Sequence, residues 1–154
     1  EVIMEICKDT AGSDFILACT DAGRAKWVES LANDMGVNAA FVFKRRVSGE
    51  ETMVTGISAD VAGKTVIIYD DMIRTGGSLI NAAKSYKEAG ASRIFAITTH
   101  GLFTNNALER LEKSRLFERV FSTNTHPNTQ ILLQNPFLQV KTVAKIIHKK
   151  LVNS

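Results

Sequence analysis

The sequence predicts an α/β fold, a mostly parallel sheet flanked by helices, and three observations carry that prediction. Short apolar runs rich in β-branched residues, such as Thr65 to Tyr69, have strand length and no polar alternation. That is the pattern of strands buried on both faces. Other stretches repeat apolar residues at helical spacing, as Trp27, Val28, Leu31, Ala32 and Met35 do. The two patterns alternate along the chain, and parallel strands need such helical crossovers between them.

The elements follow in order. Val2 to Cys7 reads as the end of a helix. Phe15 to Cys19 is a continuous apolar strand, with Cys19 a small buried hydrophobe. The stripe from Trp27 to Met35 is a helix with Gly36 just past its end, and Trp27 is assigned to the core, as is Phe95. Ala39 to Phe43 reads as a strand. Residues 44–52 are polar and contain Gly49, so they are expected to form a loop. Met53 to Ser58 is a weaker strand and Val61 to Lys64 a turn. Thr65 to Tyr69 is a buried strand, Leu79 to Ala89 a helix ending at Gly90, and Arg93 to Thr98 a strand. A short helix is expected over Asn106 to Lys113, with brief strands near Val120 and Ile131. Val140 to Leu151 closes as a helix whose last turn carries His148, Lys149 and Lys150, where cations suit the dipole.

A chain of 154 residues can bury one sizeable core, so a single domain over 1–154 is expected. No segment approaches the ~18 apolar residues of a membrane span, and the first residues carry no basic signal-peptide region. The chain opens on Glu1 rather than methionine, which suggests a piece of a longer protein. The net charge of +3 is mild, and basic residues are dispersed except at Lys44-Arg45-Arg46. That falls short of a nucleic-acid footprint. Cys7 and Cys19 make neither a disulfide framework nor metal spacing, and a cytoplasmic location is the expectation. Ala62-Gly63-Lys64-Thr65 imitates the tail of a phosphate-binding loop. However, Ser58 stands where glycine is required, and a strand rather than a helix follows.

The stretch from Val66 to Ser78 carries the chemistry. An apolar strand ends in Asp70-Asp71, then Arg74-Thr75-Gly76-Gly77-Ser78 leads into an alanine-rich helix. Glycines allow close backbone approach, and the free N–H groups at the helix start favour an anion. Two carboxylates would repel a bare phosphate but accept hydrogen bonds from ribose hydroxyls, or bind a divalent cation. A phosphorylated sugar satisfies both halves. Acidic pairs and Thr-Gly-Gly also mark solvated turns and caps, but the order strand, Asp-Asp, Thr-Gly-Gly-Ser, helix is harder to obtain by chance.

This stretch resembles the phosphoribosyl-pyrophosphate signature of the type I phosphoribosyltransferase fold. With Thr20 to Lys26, Phe43 to Arg46 and Thr98 to Phe103 it resembles, more narrowly, the carboxyl-terminal half of the ribose-phosphate pyrophosphokinases, over nearly the whole chain. The resemblance implies that Asp70 holds the ribose hydroxyls with Asp71 beside it, and that Arg74, Thr75, Gly76, Gly77 and Ser78 wrap the 5-phosphate. It puts Asp21 at a Mg²⁺ ion and Lys44 and Arg46 on a mobile catalytic loop, Arg46 also contacting ribose 5-phosphate. It further implies ribose 5-phosphate and ATP as substrates, and a homo-oligomer with neither nucleic acid nor membrane as partner. Asp21 could instead cap the helix from Ala22 to Met35, and Lys44 to Arg46 could be a solvated basic turn. His100 and the His126-Pro127 pair receive no catalytic role. Arg74 departs from the family, where an acidic residue is common, and so does Thr20, where proline is usual. The family's amino-terminal lobe, with much of its ATP site, has no counterpart in these residues. A stand-alone phosphoribosyltransferase and a non-catalytic synthetase-associated protein are the alternatives.

Overall fold

The computed structural model describes residues 1–48 and 51–153, with the backbone alone for 44–48 and 51–55. Its centre is a six-stranded sheet in the order β2-β1-β5-β6-β7-β8, with every neighbouring pair parallel. The strands are β1 (Ile16–Ala18), β2 (Asn38–Ala40), β5 (Thr65–Ile73), β6 (Arg93–Gly101), β7 (Arg119–Thr123) and β8 (Leu138–Lys141). The helices are α1 (Val2–Ala11), α2 (Ala25–Met35), α3 (Gly77–Glu88), α4 (Ala107–Lys113), α5 (Asn128–Ile131) and α6 (Ala144–Val152). Among the described residues, no helix is long and apolar enough to cross a membrane.

Successive residues of a strand point to opposite faces, and here both faces are covered. Ile16, Ala18, Val66, Ile68, Ile94 and Ala96 pack on one side against Leu79, Ala82 and Ala83 of α3 and Leu108 and Leu111 of α4. Leu17, Cys19, Ile67, Tyr69, Phe95 and Ile97 pack on the other against Ile6 and Cys7 of α1 and Val28 and Ala32 of α2. Two covered faces are why the strands read as unbroken apolar runs. Each fully buried Leu, Ile or Val contributes about 1.5–3 kcal/mol.

The chain leaves β1 towards β2 on one side, whereas β5 and its successors build the sheet on the other. The carboxyl ends of β1 and β5 therefore flank a topological switch point, where such sheets open a crevice. Tyr86 of α3 ties that edge together. Fully buried, it donates its hydroxyl to the Cys19 carbonyl (2.9 Å) and lies 3.3 Å from the Ala40 carbonyl. Tyr86→Phe is expected to lower stability by about 1–2 kcal/mol in urea unfolding, because buried carbonyls lose a donor. An unchanged midpoint would show that the hydroxyl is dispensable.

Several expectations are corrected. Residues 44–52 do not form a simple loop. β3 (Val42–Ser48) and β4 (Glu51–Ile57) pair antiparallel in a two-stranded ribbon, while Gly49 lies outside the described residues. The ribbon closes its backbone hydrogen bonds strand to strand, so its sequence needs no apolar run. The segment near Ile131 is α5, not a strand, with Ile131 left 76% exposed. The last strand is instead β8, which takes the start of what reads as the final helix, so α6 begins only at Ala144. Trp27 is not core: it is 50% exposed.

Candidate functional site

β5 runs beyond its apolar segment to Ile73, staying in register with β6 as far as Ile73 opposite Gly101. Asp70 and Asp71 are thus strand residues at the sheet's carboxyl end, on alternate faces. Asp70 keeps only 15% of its side-chain surface exposed, Asp71 47%. Arg24 faces both, its Nε 3.5 Å from Asp70 Oδ1 and its Nη2 2.8 Å from Asp71 Oδ1. Burial pushes the Asp70 carboxyl up to about 6, against the pull of Arg24, with Asp71 adding to the rise. Burial also acts upward on Asp71, yet the Arg24 hydrogen bond and charge hold it below the ordinary carboxylate range. The pair is therefore asymmetric: Asp71 carries the firm negative charge and Asp70 takes a proton more readily.

Arg24 is placed by Asp21. The Asp21 carboxylate accepts the Gly23 N–H at 2.9 Å and caps a short 3₁₀ turn, Ala22–Arg24, that leads into α2. Asp21, Arg24, Asp70, Asp71, Arg74 and Ser78 line one cavity of about 340 Å³ at the switch point.

Beside it, Asp70 and the segment from Met72 to Leu79 line a second cavity of about 190 Å³. Gly76, just before α3, stands at φ 76°, ψ 0°, the left-handed region, and caps the helix with no side-chain hydrogen bond. Among the described residues, none of the Thr75 to Ser78 backbone N–H groups meets a protein acceptor. The carbonyls from Ile73 to Gly76 are all occupied. Ile73 receives the Leu102 and Phe103 amides at 3.0 Å, and Arg74 receives the Thr104 amide at 2.8 Å and hydroxyl at 3.2 Å. Thr75 receives Arg110 Nη1 at 3.3 Å, and Gly76 the Ile80 amide at 3.0 Å. With its carbonyls tied back, the loop is left with its N–H groups for an anion, reinforced by the helix dipole.

A third cavity, of about 350 Å³, shares Arg24 and Asp71 and is also lined by Trp27, Tyr69, Thr99 and His100.

Of the residues singled out from sequence, Asp21, Asp70, Asp71, Arg74, Thr75, Gly76, Gly77 and Ser78 are brought to this crevice. Lys44 and Arg46 have their backbone in β3, opposite Val54 and Thr52, and their side chains lie outside the described residues. Sequence reasoning assigned no role to Arg24, Thr104 or Arg110. For Arg24 a signal existed: a strand ending in two carboxylates calls for a cation at the neighbouring strand end. For Thr104 and Arg110 none did, since both act through backbone carbonyls far away in sequence.

Comparison with known proteins bears on the family and the fold. Residues 21–151 match the model of the phosphoribosyl synthetase-associated domain. A ribose-phosphate pyrophosphokinase of Methanopyrus kandleri is 38% identical over 117 residues, covering 76% of this chain and 40% of that protein. The phosphoribosylpyrophosphate synthetase of Mycobacterium smegmatis superposes with a TM-score of 0.80 at 30% identity, covering 97% of this chain and 48% of that one. The APRTase of Giardia lamblia, at 18% identity, shares the fold with a TM-score of 0.61, covering 79% of this chain and 74% of that one. The chain thus spans less than two thirds of the length of the pyrophosphokinase and synthetase relatives. A match running from Asp21 through the switch-point crevice and the helix that follows it to Leu151 admits one conclusion: the chain belongs to the phosphoribosyl synthetase-associated domain family.

Proposed function

We propose that this chain is the ribose-5-phosphate half of a two-lobed ribose-phosphate pyrophosphokinase, and that within it residues 1–154 act as one phosphoribosyltransferase-type domain. The complete enzyme transfers the diphosphoryl group of ATP to ribose 5-phosphate, yielding phosphoribosyl pyrophosphate and AMP. The observation that carries this reading is the adjacency of unpartnered N–H groups at Thr75 to Ser78 and the Asp70–Asp71 pair in one crevice. The 5-phosphate occupies the loop, with Arg74 adding positive charge. The ribose hydroxyls donate to Asp70 and Asp71, and Arg24 offsets the charge of the two carboxylates.

In the transfer, the anomeric hydroxyl oxygen of the sugar gives up its proton to solvent and bonds to the β-phosphorus, the bond from that phosphorus to the α-phosphate oxygen breaks, and AMP departs. Charge spread over the phosphate oxygens needs cations beside it, the role we give to Lys44 and Arg46. Among the described residues, no cluster of three or more His, Cys, Asp or Glu forms a metal cage. Mg²⁺ held partly by substrate phosphates needs only one or two protein carboxylates, so the donor set fits. Asp21 has one oxygen on the Gly23 amide, and the other is available to such an ion. Bound Mg²⁺ would neutralise phosphate charge. ATP recognition is left to the other lobe, and the working enzyme is a cytoplasmic homo-oligomer.

Calorimetric titration tests this directly. The chain is expected to bind ribose 5-phosphate saturably and at least about tenfold tighter than ribose, while making little AMP from ATP by itself. Lys44→Ala in the two-lobed protein should cut turnover by about a hundredfold or more. Absence of ribose 5-phosphate binding would refute the assignment, and full turnover by Lys44→Ala would remove the ribbon from catalysis.

A further inference from the structure

Trp27 is the anomaly of this site. It lies on the apolar stripe of α2, yet half of its surface is exposed. A large apolar side chain left in water forgoes most of its contribution to folding. What holds it is Tyr69: the two rings stack with centroids 4.5 Å apart and planes at 24°. Tyr69 is only 4% exposed and its hydroxyl shares a 2.8 Å hydrogen bond with Thr99, so the platform beneath the indole is rigid.

The cavity that Trp27 lines is not isolated. It shares Arg24 and Asp71 with the central cavity, which in turn shares Asp70, Met72, Arg74 and Ser78 with the phosphate-loop cavity. Three chambers run in series, and their chemistry changes in order. The first offers backbone N–H groups, the second carboxylates that accept hydroxyl hydrogen bonds, and the third a stacked aromatic pair with polar edges. A ribonucleoside 5′-monophosphate presents phosphate, ribose and planar base in the same order.

We infer that the third chamber receives the nucleobase of a ribonucleoside 5′-monophosphate whose phosphate and ribose occupy the other two. This rests on the reading of Asp70 to Ser78 as a ribose-phosphate site. The base stacks on the indole, a contact worth roughly ten- to a hundredfold in affinity. Polar groups stand ready for its edge. His100 has Nδ1 engaged with Thr125 Oγ1 at 2.8 Å, so Nε2 is the nitrogen it can offer, and Thr99 also lines the chamber. Since the phosphate and ribose positions are shared, a mononucleotide and ribose 5-phosphate exclude one another. AMP, the product of the proposed reaction, would compete with the sugar substrate at the substrate's own site.

Trp27 is the one tryptophan of the chain, so its fluorescence reports on this chamber alone. AMP and ribose 5-phosphate are titrated into the protein and its Trp27→Ala and Trp27→Phe variants, followed by fluorescence where tryptophan remains and by calorimetry throughout. AMP is expected to quench Trp27 and to bind at least about tenfold tighter than ribose 5-phosphate, each displacing the other. Trp27→Ala should erase that surplus and leave ribose 5-phosphate affinity unchanged, while Trp27→Phe keeps part of it. Equal affinities for the two ligands in the unmodified protein would overturn the inference while sparing the ribose-phosphate site. So would a Trp27→Ala loss that is equal for both ligands, the mark of a structural role. If ribose 5-phosphate fails to bind while AMP still quenches Trp27, the ribose-phosphate reading falls and the aromatic chamber stands.

Discussion

Asp70→Asn is expected to make the protein more stable while weakening ribose 5-phosphate binding by about a hundredfold. Both effects have one cause. On the proposed reading Asp70 serves ribose hydroxyls rather than folding, and burial raises its pKa from an ordinary 3.8 to about 6. A carboxyl whose folded pKa lies above its unfolded value stabilises the fold while protonated. That contribution is complete below the ordinary value and is lost as pH rises through the folded one. The wild type thus loses stability through Asp70 between about pH 4 and pH 7, and at neutral pH it holds an ionised group that folding disfavours. A shift of roughly two units corresponds to at most about 3 kcal/mol, and Arg24 loses a partner on substitution, so a gain of about 1–2 kcal/mol is expected. Asparagine still donates and accepts hydrogen bonds but cannot offer two charged acceptors, each typically worth about 1.5–3 kcal/mol to a hydroxyl. Asp71→Asn should differ in sign. Its pKa is held down, so its ionised form contributes stability above the ordinary value, lost as pH falls, and asparagine would remove it. Thermal melts at several pH values, paired with ribose 5-phosphate titrations, decide the matter. A destabilised Asp70→Asn protein that still binds the sugar phosphate would reverse the assignment.

Among the glycines of the described residues, Gly101→Ala should be the most damaging change. Gly101 ends β6 opposite Ile73, and a Cβ there would run into the Phe103 ring and stand 2.6 Å from Ser122 Oγ. Neither neighbour can yield. Phe103 is buried in the left-handed region at φ 46°, with its amide on the Ile73 carbonyl, and Ser122 is fully buried. Overpacking of this kind costs about 1–3 kcal/mol, and the upper end is expected here. The displaced segment is also the one that ties back the Ile73 and Arg74 carbonyls, so phosphate binding should fall along with stability. Gly77→Ala is the contrast, since a Cβ there meets nothing within 4 Å and alanine favours the helix. Urea unfolding of the two variants separates the cases: a Gly101→Ala protein as stable as Gly77→Ala would mean that Phe103 and Ser122 do move.

Much of this molecule was legible in its residues. The apolar runs at β1, β5 and β6 are unbroken because helices cover both sheet faces, and that alone places them as parallel strands. The Asp70 to Ser78 stretch pointed to one crevice because its chemistry is local: strand end, carboxylates, glycine turn and helix start lie within nine residues. The ribbon β3–β4 was legible only in part: Met53 to Ser58 reads as a strand and matches β4, but Lys44 to Thr52 carries no apolar run and the ribbon is held by backbone pairing. β8 was hidden in the start of a helical pattern, since a four-residue edge strand is too short to show its own period. Trp27 matched the apolar stripe of α2 but sits where that stripe runs off the end of the sheet.

By itself, then, the sequence determined the fold class and drew attention to one loop, because hydrophobic periodicity and the functional groups of that loop are properties of neighbours in the chain. Only the tertiary structure decided how that loop is aimed and what surrounds it. Arg24 on the two aspartates, the Leu102 to Arg110 segment on the loop carbonyls, and Trp27 stacked on Tyr69 are contacts between distant segments. They exist because the switch in strand order brings the carboxyl ends of β1 and β5 side by side, and distances in space, not along the chain, set electrostatics and stacking.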